Sequence, residues 1–470
     1  MARKFAVLAV ACLCSTLAMA QIQGVCGQAS AQNKVGCTLA NLYNGPSPTF
    51  QPGNLPIYQA GGVAADNGFD FRSDPHALTT TVGSELTTLP LTSPGSGFVF
   101  QLDKATGIPV RATQSLGPIL TERGETVGRH KLFVAFAYQY FKFGSEDGIR
   151  TNGFQNVLQH AVDNPSKGED SDLVTTNDAI DLKIHQFTAF ATFGLTDKID
   201  VSAVIPILNV RFGAYSNAMI HNFFAPNNPN EQHSFCLSTT PCLTKSFSNF
   251  RQATGIGDVL FRGKARIFSG EHTKLAIGAD LRLPTGDELN FLGSGTYGVR
   301  PFAALSFNKR RFAPHANFGF VINGNSILAG DLTTSTKGHL PNELTYSVGT
   351  DIGVTSRFTL AADWLGEHFI NGYRVQASTC ANENVANPNG PPVYTNCVLG
   401  ATSSPAGTLY PGVFNQTRTL QSSYSVNDIS VGAKVSPTKN LLITFNAIMK
   451  LDDPGLRAKV VPLVSIGYAF

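Results

Sequence analysis

The chain has 470 residues, of which 42% are hydrophobic, 10% aromatic and only 14% charged, and its formal net charge is +3. A charge so close to neutral gives no attraction for a polyanion, so nucleic acid is excluded as a partner. No stretch beyond residue 20 approaches the roughly 18 uninterrupted apolar residues that a membrane helix needs, so a membrane form has to be a closed β-barrel.

Residues 1–20 have the pattern of a secretory signal peptide. Two basic residues precede an apolar run, and the segment ends in Ala-Met-Ala, a small-residue cleavage site. Lipid modification at Cys12 or Cys14 is the alternative, but the residues before these cysteines do not suit it. We therefore predict secretion and a mature chain that begins near Gln21.

Residues 21–130 form a second region, rich in Gly, Pro, Ser and Thr. One hairpin is predicted, in which residues 98–102 and 108–111 flank a DKATG turn. About 110 residues is more than a tether needs. The segment could fold back as a plug of the lumen, stay partly disordered in the periplasm, or form a small partner-binding unit.

From residue 131 to 470, apolar residues alternate with polar or small ones, the period of two that is typical of a strand with two different faces. This pattern predicts an all-β fold, a transmembrane antiparallel up-and-down β-barrel of about 12 strands. The predicted strands are 131–143, 180–193, 199–212, 258–268, 274–284, 297–308, 312–321, 343–354, 358–368, 424–435, 441–450 and 459–470.

The connections alternate between short and long, as single-chain bacterial barrels require, with short periplasmic turns and longer outer loops. The short turns are 194–198, 269–273, 309–310, 355–357 and 436–440. The long connections include 144–179, 213–257 and 369–423. An even number of strands places both ends of the barrel on the periplasmic side.

Two local features conflict with regular strands. In the second strand Ile180, Leu182 and Ile184 are out of phase with the later apolar residues, which predicts a β-bulge near Gln186. Four prolines also lie within predicted strands, where a residue without an N–H interrupts the ladder. Bulges or strand ends must accommodate these prolines, which are Pro206, Pro301, Pro314 and Pro462.

The alternation also identifies residues that face the lumen. If the hairpin of residues 258–284 closes at its short turn with Phe268 opposite Lys274, Arg262 lies opposite Asp280, and the wall here is locally basic. The candidates for the lumen lining are Arg262, Lys264, Arg266, Asp280, Arg282, Arg300, His315 and Asp363. At the mouth, Asp287 and Glu288 open an outer loop and are either turn residues or contacts for a solute.

Six cysteines remain after residue 20, and they fall into three close pairs. Their spacing favours local disulfides in an oxidising compartment over zinc ligation, which needs clustered CxxC or histidine spacing. Fifteen connectivities are possible. The favoured pairs are Cys26 with Cys37, Cys236 with Cys242, and Cys380 with Cys397.

The last predicted strand ends in alternating apolar residues with Tyr468 and the terminal Phe470. This ending resembles the signal that the barrel assembly machinery of the outer membrane reads, which makes that machinery and outer-membrane lipid the expected partners.

Four segments resemble an outer-membrane family named for the meta-pathway of phenol degradation. They are GLTDKIDVSAVIP, GIGDVLFRGKARI, LRLPTGD and SLGPILTERGETVGRHKLFVAFAYQY, and the resemblance covers roughly residues 115–470. Members are similar to channels for fatty acids and toluene, so the resemblance implies a channel for hydrophobic compounds. It implies no catalytic residue.

We therefore expect a channel in the cell outer membrane that passes small hydrophobic or aromatic solutes by diffusion, without cofactor or metal. One alternative is a barrel that acts as an anchor through its long outer loops and N-terminal segment. A barrel hydrolase built on a lumen histidine, His185 or His315, is the weaker alternative, because no serine with a supporting partner is placed beside either.

Overall fold

The computed structural model shows a closed antiparallel barrel of twelve strands, as predicted. The strands are β1 Leu132–Glu146, β2 Leu173–Gly194, β3 Ile199–His221, β4 Thr244–Ile256 continued by Val259–Ser269, β5 Thr273–Leu283, β6 Gly298–Phe307, β7 Phe312–Asn323, β8 Asn342–Thr355, β9 Phe358–Glu383, β10 Val413–Val435, β11 Leu441–Lys450 and β12 Val460–Ala469. The structure describes residues 26, 28, 31, 33–43, 58–59, 75–86, 89–90, 100–102, 109–111, 115–159, 173–222, 233–236, 242–332, 335–383, 393–395 and 413–470.

The two halves of β4 both pair with β3, and a break at Gly257 and Asp258 separates them. The barrel closes where β12 pairs with β1, and the Phe470 N–H donates to the Leu132 carbonyl at 2.8 Å. Both ends of the barrel therefore lie at the end that carries the short turns. Several strands extend further toward the long loops than the sequence predicts, above all β2, β3, β9 and β10.

The outer face carries a belt of exposed apolar side chains to which every strand contributes. Such a belt is what a wall in contact with lipid requires. One residue from each strand in turn illustrates it: Phe136, Phe187, Ile205, Phe261, Ile277, Leu305, Phe318, Val348, Leu360, Val431, Phe445 and Val464. Among the described residues no helix is long and apolar enough to span a membrane.

The prolines lie where the ladder is interrupted. Each residue of an antiparallel strand directs its N–H toward one neighbour only. Pro301 pairs on its β5 side, but the β6–β7 pairing omits positions 300 and 301. Pro206 falls between the two halves of β4, Pro314 lies just beyond the last β6–β7 pair, and Pro462 just before the first β12–β1 pair. Breaks and strand ends thus absorb the prolines, as expected.

The predicted bulge near Gln186 is wrong. β2 pairs with β3 without a register shift from Leu173 to Gly194, and burial alternates along its whole length. Ile180, Leu182 and Ile184 simply face inward, where they join an apolar core inside the barrel. Apolar residues are expected on the inner face wherever protein rather than water fills the lumen.

The N-terminal region contributes α1, Pro75–Glu85, a short 3-10 turn at Val35–Cys37, and several two- and three-residue strands. The predicted hairpin is present, since Phe100–Leu102 pairs with Pro109–Arg111. Residues 1–20, the predicted signal peptide, lie outside the described residues.

Candidate functional site

The lumen is occupied at both ends by parts of the N-terminal region. The part nearer the short turns is residues 115–127, here called the lower plug, whose described side chains are almost all buried. The part nearer the long loops, the upper plug, is residues 31–43 and α1. Between them lies the space that the barrel leaves open.

The lower plug is held by polar contacts with the inner wall and by two small apolar clusters around Leu116 and Ile119. The Leu116 N–H donates to Thr359 at 2.9 Å, the Glu122 N–H to Asn317 at 2.6 Å, and the Val127 N–H to Asp200 at 3.0 Å. Because these bonds satisfy backbone groups of the plug, the segment needs no secondary structure of its own.

A buried ion cluster joins the lower plug to β4 and β5. The register places Arg262 opposite Asp280, as predicted, and Arg262 Nε lies 2.6 Å from Asp280 Oδ1. The closing pairs differ from the prediction, because a shift between Arg266 and Phe268 puts Phe268 opposite Leu275. This irregularity lies at the turn and leaves the pairing of Arg262 unchanged.

The wall at this cluster is not locally basic, which corrects the expectation. Glu122 of the lower plug pairs with Arg262 and, at 3.1 Å, with Lys264, while Arg300 Nη2 lies 2.6 Å from Asp280. The missing acid comes from the N-terminal region, so the strand pattern could not reveal it. These buried charges are paired, as low-dielectric surroundings require.

A second buried polar cluster joins the lower plug to β7, β8 and β9. His315 lies 3.1 Å from Asp351 and 2.7 Å from Asp363, and Ser115 of the plug donates to Asp351. Lys434, fully buried, donates to the Pro118 carbonyl. Ser115 touches Asp351 rather than His315, so the arrangement differs from a nucleophile activated by a base.

The upper plug packs into an apolar core with the inner faces of β1, β2 and β3. Tyr43 donates to Ser216 at 3.0 Å, and burial raises its pKa. Lys34 forms a 2.6 Å ion pair with Asp287, the predicted residue of the loop mouth, whose side chain also caps the turn Glu288–Asn290. Asp287 thus connects the outer loop to the N-terminal region.

The end of α1 is fastened to the wall by Glu85. Its carboxylate accepts hydrogen bonds from Tyr424 Oη at 2.6 Å and from the Leu456 N–H. Burial raises the pKa of Glu85 to about 7. Next to it, Asp147 accepts from Arg374 at 2.6 Å.

Two adjoining cavities remain between the plugs. The upper cavity has about 810 Å³ of empty space and a lining that is mainly aromatic and aliphatic, including Phe141, Phe143, Phe369 and Tyr424. The lower cavity, about 1240 Å³, reaches the ion cluster. Leu89 and Pro90 from the chain after α1, together with wall residues 365–367, border both.

The other predicted residues of the lumen lie at separate positions. Arg282 donates to Asn323 at 2.7 Å near the lower cavity, whereas Arg266 reaches the short turn and donates to the Asp197 carbonyl at 2.7 Å. Glu288 is half-buried in its loop. His185 lies on the outer face between tyrosine rings, with Nδ1 2.9 Å from Tyr138 Oη, so the expectation that it can face the lumen is wrong.

Two kinds of lumen residue were not predicted from the sequence. The first kind occupies inward positions of predicted strands and could have been identified by the same alternation as the predicted lumen residues; it comprises Glu343, Asp351 and Lys434. Glu85 and Glu122 lie in the N-terminal region, where no periodicity marks them.

Two of the predicted disulfides are present. Cys26 bonds to Cys37 within the upper lumen, and Cys236 bonds to Cys242 in a long loop. The second is near Ser234, which pairs with Tyr58 of the N-terminal region. For the third predicted pair, Cys397 lies outside the described residues.

Neither a family model nor a curated protein matches the chain. Among solved structures the chain is similar to an outer membrane channel from Pseudomonas putida F1, with 12% identity and a TM-score of 0.40 over 74% of this chain and 97% of that one. It is also similar to the toluene transporter TbuX of Ralstonia pickettii, with 9% identity and a TM-score of 0.31 over 81% of this chain and 98% of that one. A FadL homologue of Pseudomonas aeruginosa is similar too, with 10% identity and a TM-score of 0.29 over 80% of this chain and 94% of that one. Likenesses this distant carry no argument about function, so the family resemblance of the motifs stays a prediction.

Proposed function

We propose that this protein is an outer-membrane channel for the passive uptake of small hydrophobic or aromatic compounds. The observation that supports the proposal most is the upper cavity, an aromatic and aliphatic space inside the barrel that adjoins a more polar one. An apolar solute gains free energy by leaving water for such a lining, at about 25 cal/mol per Å² of apolar surface buried. The more polar lower cavity holds an apolar solute less tightly, so it does not retain the solute on its way to the short turns.

A barrel that serves only as an anchor is the second candidate. It is favoured by the contacts between N-terminal residues and the outer loops, such as Lys34 with Asp287 and Tyr58 with Ser234. An anchor has no need for a continuous path through the lumen, whereas a channel does.

Uptake by whole cells separates these candidates. Cells that make the protein should take up labelled toluene at an initial rate at least several-fold above cells that lack it, with no requirement for an energy source. Purified protein in planar bilayers should also show discrete openings. Equal uptake rates together with silent bilayers would favour the anchor.

The proposed orientation puts the short turns in the periplasm and the long loops outside. Asn325→Cys lies in a long loop and Lys309→Cys in a short turn. Treating whole cells with a thiol reagent that cannot cross the outer membrane should label Asn325→Cys alone. Labelling of Lys309→Cys alone would reverse the orientation.

The terminal aromatic is proposed to be read during assembly. Phe470 is 63% exposed and its ring packs on Tyr468 with centroids 4.7 Å apart, so its removal takes nothing from the interior. Phe470→Ala should therefore lower the amount of heat-modifiable barrel several-fold while secretion continues. Phe445→Ala, an exposed aromatic of β11, is the matched control and should assemble normally; equal assembly of both variants would argue against a terminal signal.

A further inference from the structure

One acidic side chain of the upper cavity has no bonded partner among the described residues. Glu367 of β9 borders both cavities, and its carboxylate makes no hydrogen bond or ion pair with any residue in the described ranges. Thr345 lies directly across the β8–β9 ladder from Glu367, and the diagonal inward neighbour Glu343 is acidic as well. Two acids thus face the lower cavity from adjacent strands.

The other charges of the upper cavity do not supply a cation for Glu367. Three acids line this cavity, Glu85, Glu367 and Asp428, against the single base Arg457. Arg457 is already engaged, with Nη2 2.5 Å from Asp428 and 3.6 Å from Asp452. Glu85 accepts hydrogen bonds from Tyr424 and Leu456. The lining therefore has more acidic than basic side chains, and Glu367 is the acid that lacks a bonded partner among the described residues.

Aromatic rings line the same cavity as this acid. Phe141 and Phe143 stack with centroids 6.1 Å apart, and Phe369 stacks on Tyr424 at 4.9 Å. Ring faces attract cations, and the attraction strengthens where water is excluded. A carboxyl group in an apolar cavity keeps its proton unless a partner of opposite charge stabilises its ionised form.

From this arrangement we propose that the upper cavity is a binding site for small organic ammonium ions with an apolar or aromatic body, with Glu367 as the counter-ion. The inference rests on the proposed function and narrows it, since it names the class of solute that the cavity selects. The apolar body fills the space lined by Phe141, Phe369 and Val426, and the ammonium group pairs with Glu367. A metal ion does not fit, because Ca²⁺ or Mg²⁺ needs several oxygen ligands and the described residues contain no group of three that could hold one.

The test uses three probes with the same ring and different charge. Benzylammonium, benzyl alcohol and benzoate are titrated into the full-length protein in detergent, and binding is followed by calorimetry. We expect benzylammonium to bind at least tenfold more tightly than benzyl alcohol, and benzoate more weakly than both. An equal or reversed order of the first two probes overturns the proposal without any variant.

Glu367→Gln keeps the shape of the side chain and removes its charge. This variant should lose at least fivefold in affinity for benzylammonium while its affinity for benzyl alcohol stays within twofold. The control is Glu271→Gln in an exposed short turn, which should bind all three probes like the unaltered protein. Unchanged ammonium binding by Glu367→Gln would also overturn the assignment.

Binding and uptake can fail separately. Ammonium-selective binding by a protein that transports nothing would refute the proposed function and leave this site intact. Uptake of toluene by a protein that binds benzylammonium no more tightly than benzyl alcohol would refute the ammonium site and leave the proposed function intact.

Discussion

Deletion of residues 21–127 should raise the single-channel conductance at least several-fold and make the open state the usual one. The described parts of this region fill the lumen at both ends, and their removal takes away the upper core and every contact of the lower plug. The barrel itself should remain, because its strands pair with one another around the whole circumference. Planar-bilayer recordings measure the conductance, and heat-modifiable mobility in gels reports whether the barrel is intact.

A tethered plug provides the matched control for this deletion. Glu125 of the lower plug and Asn308 of a short turn have side chains in hydrogen-bond contact, so cysteines at both positions are within reach of a short bifunctional thiol crosslinker. Crosslinked, this double variant should open rarely; without the crosslinker, it should behave like the unaltered protein. An intact deletion variant with unchanged conductance would mean that the N-terminal region does not obstruct the path.

Arg262→Ala should lower the free energy of unfolding by about 3–5 kcal/mol, the usual cost of removing one partner from a buried ion pair. Arg262 is paired with Glu122 on the plug and Asp280 on the wall, and the loss leaves two acids close together with Lys264 and Arg300 as the remaining bases. The temperature at which the heat-modifiable band converts to the unfolded position measures the change.

Two further variants show whether this cost comes from the pairing. Arg311→Ala, in an exposed short turn, should change stability by no more than about 0.5 kcal/mol. Adding Glu122→Ala to Arg262→Ala should recover part of the loss, because residues in one network are not additive. Equal, fully additive losses would mean that Glu122 and Arg262 do not stabilise each other.

The barrel was predictable because each strand has two chemically different faces. Alternation gave the number of strands and the order of short and long connections, and together with the assumed closure of the short turn it gave the pairing of Arg262 with Asp280. Pro301 and Pro462 were also interpretable, since a residue without an N–H has few permitted places in a ladder.

The contents of the lumen were harder to predict because the rule of a polar interior fails wherever protein replaces water. For that reason the sequence pattern at Ile180, Leu182 and Ile184 was interpreted as a β-bulge. These side chains face inward because the upper plug provides apolar surface inside the barrel. Glu122 acquires its role only through contacts with strands about 140 residues away in the sequence. No local pattern in residues 21–130 carries such information.

The path of the N-terminal region has a consequence for the order of assembly. Lys34 lies at the long-loop mouth, whereas Leu132, where β1 begins, lies at the opposite end, and described parts of the N-terminal region lie inside the bore near both rims. The contact between β12 and β1 is the seam of the barrel. If the seam forms last, the open sheet closes around the N-terminal region, which then never has to pass through an opening. If the seam forms first, the N-terminal region has to thread lengthwise into a barrel that is already closed. The loop closed by the Cys26–Cys37 disulfide would have to pass through as well.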